Sequence, residues 1–430
     1  MAKVRVASLW YCFWLFMCIA GLTNGSFARE YIVSQDGLGD FNRIADCVAA
    51  MKPGDRCTVW PGDYPERVVL PARLASAGQR TVISADPPLM ATVQGFDVRG
   101  CDNVRIEGFD VANNYPTGLD ATGILIRSNN VEIANNYIHA IRGGGIVGYW
   151  VQPWSNNITI ENNRITRCQS GINICGNQWY VVNNEVTRLI QYSSGDCDYA
   201  RFFGENHLIK NNIFFGTYQS EIGSAHVDGF QTYDDNGEYF KDVVILGNVI
   251  RDCHQGVMTE ADKYQQSSGL YIVNNIFANC WSWGADVHDV TNVLVAHNVF
   301  ANMLTNGVGA RAGSSVGLFN NVFYNAGSNY FMDPGAALFC CDNLLFSTKQ
   351  KIDASIYSWD ITNLNPCFRD AAGLDFHLTG NSPAIDAGVD VGLTMDFDDQ
   401  GRPVGSFPDI GAFEYVPLAG ITAAHWQQYR

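Results

Sequence analysis

The chain is poor in charge, and little of that charge is positive. Only 16% of its 430 residues are charged, with 27 Lys and Arg against 43 Asp and Glu, for a formal net charge of −16. This balance argues against nucleic acid and anionic membrane surfaces, which attract basic proteins. It also weighs against a polyanionic substrate, unless a bound metal or a local basic patch reverses the field. Long apolar runs are missing after the first, Val6 to Leu22. Lys3 and Arg5 precede that run and Ser26-Phe27-Ala28 offers a small-x-small cleavage site, so residues 1–28 read as a secretory signal peptide. A run of roughly 17 residues is at the lower limit for a membrane anchor. The expectation is a secreted or periplasmic protein with no membrane span, carrying about −18 once the leader is removed. Also absent are a Walker loop, a dinucleotide glycine motif, HExxH and the GxSxG nucleophile elbow.

What is present is a repeat. An Asn pair with apolar residues on both sides recurs as IANNYI, IENNRI, VVNNEV, IKNNIF, ILGNVI, IVNNIF, VAHNVF and LFNNVF. The second (or only) Asn falls at Asn136, Asn163, Asn184, Asn212, Asn248, Asn275, Asn298 and Asn321. The mean spacing is about 26 residues, a solenoid period. Asn114 adds an earlier turn. Asn tolerates the left-handed backbone that a sharp bend demands, and stacked amides can bond to one another along an axis. Apolar residues alternate with period two around each pair, which indicates half-buried strands. The fold expected is all-β: a single-chain, right-handed parallel β-helix of about nine coils. Phe41 to Met51 has helical apolar spacing and is expected to cap the open first coil. The cap spans about residues 30–60, an irregular closing segment about 366–415, and a tail 416–430.

Thirteen cysteines are present, and Cys12 and Cys18 leave with the leader. The remaining eleven are an odd number, so at least one is free. Cys47 and Cys57 bracket the short turn MKPGD and are the best disulfide pair. Cys168, Cys253 and Cys280 each fall five residues after their Asn, the pattern of a stacked thiol ladder or a disulfide.

After the Asn pairs come short Gly-led strands, beginning at Gly145, Gly171, Gly229, Gly256, Gly284 and Gly307. The coil after Asn184 does not align. The first and third residues after each Gly are mostly apolar and should face the core; the second and fourth should point outward. The outward fourth positions include Tyr149, Tyr233, Glu260, His288 and Arg311, and the second positions include Asn173, Gln231 and Asp286. With neighbouring coils ~4.8 Å apart, Tyr233, Glu260, His288 and Arg311 form one exposed row. The long coil between Asn212 and Asn248 adds His226 and Asp228 in HVDGFQ. Asp234, Asp235 and Glu238 make an acidic loop whose oxygens can hold Ca²⁺. Lys263 follows Glu260 and can serve as a base if desolvated.

DGLGDFNRIADCVAAMKPGDRCTVWPGDYPERV resembles the entry segment of secreted pectate-lyase-like β-helix proteins, and DFHLTGNSPAIDAG with DFDDQGRP and PDIGAFEY resembles the closing segment of bacterial members. The resemblance covers nearly all of the mature chain but is carried by its ends. The superfamily holds lyases, glycoside hydrolases, epimerases, esterases and non-catalytic adhesins, so function rests on the site. The resemblance implies an extended polysaccharide as partner and uronate β-elimination as the leading activity. That chemistry needs a base, for which Tyr233, His288 or Lys263 is available, and a cation at the uronate carboxylate, for which Arg311 is suited. His226, Asp228, Gln231, Asp286, Tyr149 and Asn173 are expected to bind the sugar chain. The alternatives are hydrolysis by paired carboxylates among Asp228, Glu260 and Asp286, and glycan binding without catalysis. The protein is expected to act as a monomer.

Overall fold

The computed structural model describes residues 29–75, 77–113, 115, 118, 121–150, 153–234, 237–261, 263, 265–347 and 359–417. The leader, Asn114 and nearly all of the tail therefore lie outside the described residues. The chain winds into a parallel β-helix of about ten turns, and its coils pair in register along three sheets. One sheet carries Gly144–Gly148, Asp228–Tyr233, Gln255–Glu260, Ala285–Val287 and Asn306–Ala310. The second carries Val131–Ala134, Phe240–Leu246, Ser268–Val273 and Thr291–Ala296. The third is built of three-residue strands, among them Tyr137–His139, Val249–Arg251, Ile276–Ala278 and Val299–Ala301.

The two Asn of each pair divide the work. The first takes the left-handed bend: φ is 57° at Asn135, 55° at Asn162, 58° at Asn183 and 54° at Asn274. In ILGN, Gly247 fills that place at φ 65°, and His297 fills it in VAHN at 55°. The second Asn is buried and joins an amide ladder. Asn248 donates its backbone N–H to Asn275 Oδ1 at 2.8 Å and its amide to the same oxygen at 3.0 Å. The ladder begins where Asn136 Oδ1 receives the Phe109 N–H, and ends where Asp360 Oδ1 receives the Asn343 N–H at 2.9 Å. Buried backbone and amide groups are thereby satisfied coil by coil.

The Gly that leads each strand of the first sheet is required by close approach. A Cβ at Gly229 would stand 2.4 Å from the Gly256 carbonyl oxygen, and one at Gly256 would stand 2.3 Å from that of Gly284. The inward positions then fill the core: Phe230, Val257, Ala285 and Val308, with Thr232, Thr259, Val287 and Ala310, are all buried.

The capping helix α1 covers Ile44–Ala50. Glu66 receives the N–H groups of Ile44 and Ala45 at its first turn. Strands Glu30–Val33 and Arg56–Val59, expected within the cap, already pair as coil strands. Cys47 and Cys57 come together as expected, but both are free thiols. Burial and the Cys47 thiol beside it push the Cys57 thiol up. Cys253 and Cys280 stack with their sulfurs 3.6 Å apart, also as thiols.

The closing segment lies along the outside of the third sheet. Phe376, Leu378, Phe397, Ile410 and Phe413 cover Val249, Ile276, Val299 and Val322 in a second hydrophobic core. Polar ties run the same way. Asn274 donates to the Met395 carbonyl, Asn320 donates to that of Val389, and the buried Arg402 meets His297 and Glu414. One long face of the solenoid is therefore occupied by the chain itself. Among the described residues, the closing segment does not lie over the first sheet's outer face.

Candidate functional site

The outward residues of the first sheet stand in register. Tyr233 pairs with Glu260, Met258 with Asp286, and Asp286 with Gly309. The pairing of Val287 with Ala310 carries His288 and Arg311 to neighbouring positions. The structure thus brings Tyr233, Glu260, His288 and Arg311 onto successive coils. The coil left unaligned in the sequence contributes the strand Ala200–Lys210. It sets Arg201 between Asn173 and Gln231, and Phe203 beside Cys175.

The rows are layered by charge. Three carboxylates lie buried at the floor: Asp198, Asp228 and Asp286. Each carries a cation or an imidazole above it. Arg201 donates from Nε to Asp198 Oδ2 at 2.6 Å. His254 Nδ1 stands 3.5 Å from Asp228 Oδ1, and the exposed His226 stacks on His254 with ring centres 4.2 Å apart. Arg311 grips Asp286 through Nε at 2.9 Å and Nη2 at 3.1 Å, and His288 Nε2 is 3.2 Å from the same carboxylate. The Arg311 guanidinium also lies 4.7 and 4.8 Å from the ring centres of Trp283 and Phe331, which pack edge-to-face on each other.

The environments of the three acids differ. Burial pushes the Asp198 carboxyl up to about 7 against the pull of Arg201. Burial raises Asp228 too, with His254 and His226 opposing. Burial acts likewise on Asp286, but hydrogen bonds from His288 and Arg311 outweigh it and hold the carboxyl below its ordinary value. Charge pairing, not desolvation, decides that site.

The remaining expected residues fall as follows. Asn173 is buried beside Arg201, and Gln231 is half-buried in the same row. Tyr149 lies at one end of the face with the Arg127 guanidinium 4.1 Å over its ring. Phe203 packs edge-on against Tyr233 at 4.8 Å, and burial raises the phenol. Glu260 and Lys263 are exposed. In the acidic loop, Asp235 lies outside the described residues. Asp234 is buried and receives the Lys263 backbone N–H at 3.1 Å, so its carboxylate ties one coil to the next. Glu238 is half-buried. Among the described residues, no three His, Cys, Asp or Glu side chains gather in a group suited to a metal ion.

Asp228 and Asp286, expected on the surface as sugar-binding groups, are buried beneath it instead. The reason is that a short carboxylate on a flat sheet is overlaid by longer side chains from its own and adjoining coils. Three functional candidates went unrecognised: Asp198, Arg201 and His254. Counting back from Asn212 by the thirteen residues that separate Gly171 from Asn184 lands on Tyr199, which would have placed Asp198 and Arg201. His254 precedes its leading Gly by two residues, a position not considered.

Two solved structures align well enough to compare folds. One is a family 6 polysaccharide lyase from Pseudopedobacter saltans, at TM-score 0.59 and 11% identity, covering 80% of this chain and 95% of that one. The other is XylC, solved in complex with xylose, at TM-score 0.53 and 12% identity, covering 90% and 98%. The chain shares their parallel β-helix fold. A pectate lyase structure also aligns, at TM-score 0.45 and 16% identity, over 90% of this chain and 97% of its own. Residues 74–223 match a family model described as a protein of unknown function, DUF1565. No curated relative matches the sequence. At these identities the likeness concerns the fold, and the chemistry rests on the tiers of the first sheet.

Proposed function

We propose that this chain is a secreted carbohydrate-active enzyme that cleaves a uronate-bearing polysaccharide by β-elimination along the outer face of the first sheet. The observation that carries this reading is the layering of buried acid beneath outward cation or imidazole, at Asp198–Arg201, Asp228–His254 and Asp286–Arg311–His288. Elimination needs a positive group at the uronate carboxylate and a base for the adjacent proton. Arginines fixed by carboxylates are preorganised for the first task, and imidazoles held the same way for the second. The layering also places the positive groups outermost on this face, offsetting the buried acids toward an anionic substrate in a chain of net charge −16. Aromatic rings at Tyr233 and Trp283, both half-buried, add flat apolar surface for sugar rings.

Hydrolysis by paired carboxylates is less well supported, because Asp228 and Asp286 are only 1% and 2% exposed. Of the acids named for it, Glu260 alone is exposed.

The test is incubation with a panel of glucuronate, galacturonate, mannuronate and guluronate polymers, reading ultraviolet absorbance of unsaturated uronate ends. At least one polymer is expected to yield them. Arginine supplies positive charge in the groove, so activity is expected to persist in a chelator. New reducing ends without that absorbance would refute elimination, and neither signal on any polymer would refute catalysis.

A further inference from the structure

Buried polar atoms without a hydrogen-bond partner are rare in folded proteins, and each asks for an explanation, often a functional one. Several lie on the first sheet; Asp97 Oδ1, Arg127 Nε and Asn329 Oδ1 stand toward its ends, and Asn173 Oδ1, Asp228 Oδ1 and His254 Nδ1 lie around Asp198 and Arg201. Asn173 neighbours Arg201 in register, and the Asp228 backbone N–H donates to Asp198 Oδ1 at 3.2 Å. Asp198 in turn holds Arg201. A guanidinium and an imidazole are thereby joined through two buried carboxylates on successive coils.

The Arg311 tier is different. Arg311 spends Nε and Nη2 on Asp286, faces Asp333 with Nη1 at 3.8 Å, and packs against the rings of Trp283 and Phe331. That arrangement is already closed. Open bonding capacity lies a few coils away, at Asp228 Oδ1 and His254 Nδ1 beside the Asp198–Arg201 pair.

We propose that His254 is the base of the elimination and Arg201 the group that meets the uronate carboxylate, with Asp228 and Asp198 as their positioning residues. The assignment rests on the elimination reading above. Asp228 Oδ1 is 3.5 Å from His254 Nδ1, so a small rotation of the ring completes an Nδ1–H to carboxylate bond and leaves the Nε2 lone pair for substrate. His254 Nε2 takes the proton from C5 of the uronate. The electrons of that C–H bond form the C4=C5 double bond, and the C4–O4 bond breaks. The departing oxygen leaves with the electron pair and is protonated by the histidinium or by water. Arg201 offsets the negative charge that develops on the carboxylate during proton removal. The ionisable groups around His254 are Asp228 beneath it, His226 stacked on it, Cys253 next to it, and Asp196, Asp198 and Arg201 behind Asp228.

The experiment uses the full chain and the polymer on which wild type releases unsaturated ends. H254A is expected to lose roughly a hundred-fold or more in kcat, the usual worth of a positioned base, to keep its melting temperature within a few degrees, and to regain activity with added imidazole. D228N removes the carboxylate that orients the ring and sets its tautomer, so kcat is expected to fall by roughly ten-fold or more while KM changes little. A folded H254A that retains more than half of wild-type kcat overturns the assignment. So does a loss in H254A that imidazole leaves unrescued while D228N keeps the wild-type kcat. In both cases elimination itself stands. A wild type that yields no unsaturated ends on any polymer removes the elimination reading and this assignment together.

Discussion

Arg311 lays Nε and Nη2 on the two oxygens of Asp286, at 2.9 and 3.1 Å, across one step of the solenoid. Asp286 is 2% exposed, while the Arg311 side chain is 26% exposed and packs against Trp283 and Phe331. Breaking such a pair from the acid side leaves a guanidinium fixed over a neutral floor. Asp286→Asn is expected to lower stability by about 2–3 kcal/mol, read as a shift in urea midpoint. The room for this pair comes from Gly309, where a Cβ would stand 2.6 Å from Asp286 Oδ1 and 2.7 Å from the Trp283 ring. Gly309→Ala is expected to cost about 1–3 kcal/mol by overpacking, and the two variants combined are expected to cost less than their sum, because both act on the same pair.

The amide ladder makes each second Asn a shared partner. Asn248 Oδ1 receives the Asn212 N–H at 2.8 Å and amide at 2.9 Å, and its own amide donates to the Ile209 carbonyl at 2.9 Å. Asn248→Ala strands several of these groups in the core and is expected to cost about 3 kcal/mol or more. Asn248→Asp is expected to be worse, since a carboxylate would face the Asn275 oxygen and the Ile209 carbonyl with no proton to give. Chemical denaturation of the two variants would order them.

His207 is buried and neutral, with Nδ1 receiving the Trp179 N–H at 3.2 Å and Nε2 3.1 Å from the Phe203 carbonyl. Burial lowers its pKa to about 4 from 6.5. The folded value is depressed, so its contribution is complete above pH 6.5 and fades as pH falls toward 4. The full loss is about 3 kcal/mol. Asp198, raised to about 7, and Asp396 and Asp409, raised to about 6, act in the opposite sense: their contribution is complete below pH 3.8 and fades as pH rises through those values. A His207→Gln variant should therefore lose less stability than wild type between pH 6.5 and 4.5, and paired urea melts at the two pH values would measure it.

Burial pushes the Cys168 thiol up to about 12 and raises those of Cys175 and Cys253 as well. Thiolate is the reactive form. These cysteines are expected to ignore a thiol reagent in the native protein and to react once the chain is unfolded. Titration in denaturant without reductant is expected to count Cys47, Cys57, Cys253 and Cys280 among the free thiols.

The repeat could be read from residues alone because each coil needs the same two things, a left-handed bend and an amide in the ladder. Asn, or an Asn after Gly or His, supplies both. Counting from those marks placed Tyr233, Glu260, His288 and Arg311 on successive coils without coordinates. Where a coil departs from the common length, the count fails. Asn184 to Tyr199 is fifteen residues, whereas Asn163 to Gly171 is eight, and the extra residues hid Asp198 and Arg201.

The sequence by itself determined the solenoid, its period, and which side chains leave the core, because period-two burial and the Asn bend are local properties. Only the tertiary structure decided depth and partnership. It buried Asp228 and Asp286 under the groups of other coils, left Cys47 and Cys57 as neighbouring thiols, and laid the closing segment along the third sheet. Those outcomes depend on contacts between residues 20 to more than 100 positions apart, such as Arg311 with Asp286 and Arg402 with His297. Burial and hydrogen bonding act through space, and local pattern carries no record of which distant side chain will lie above.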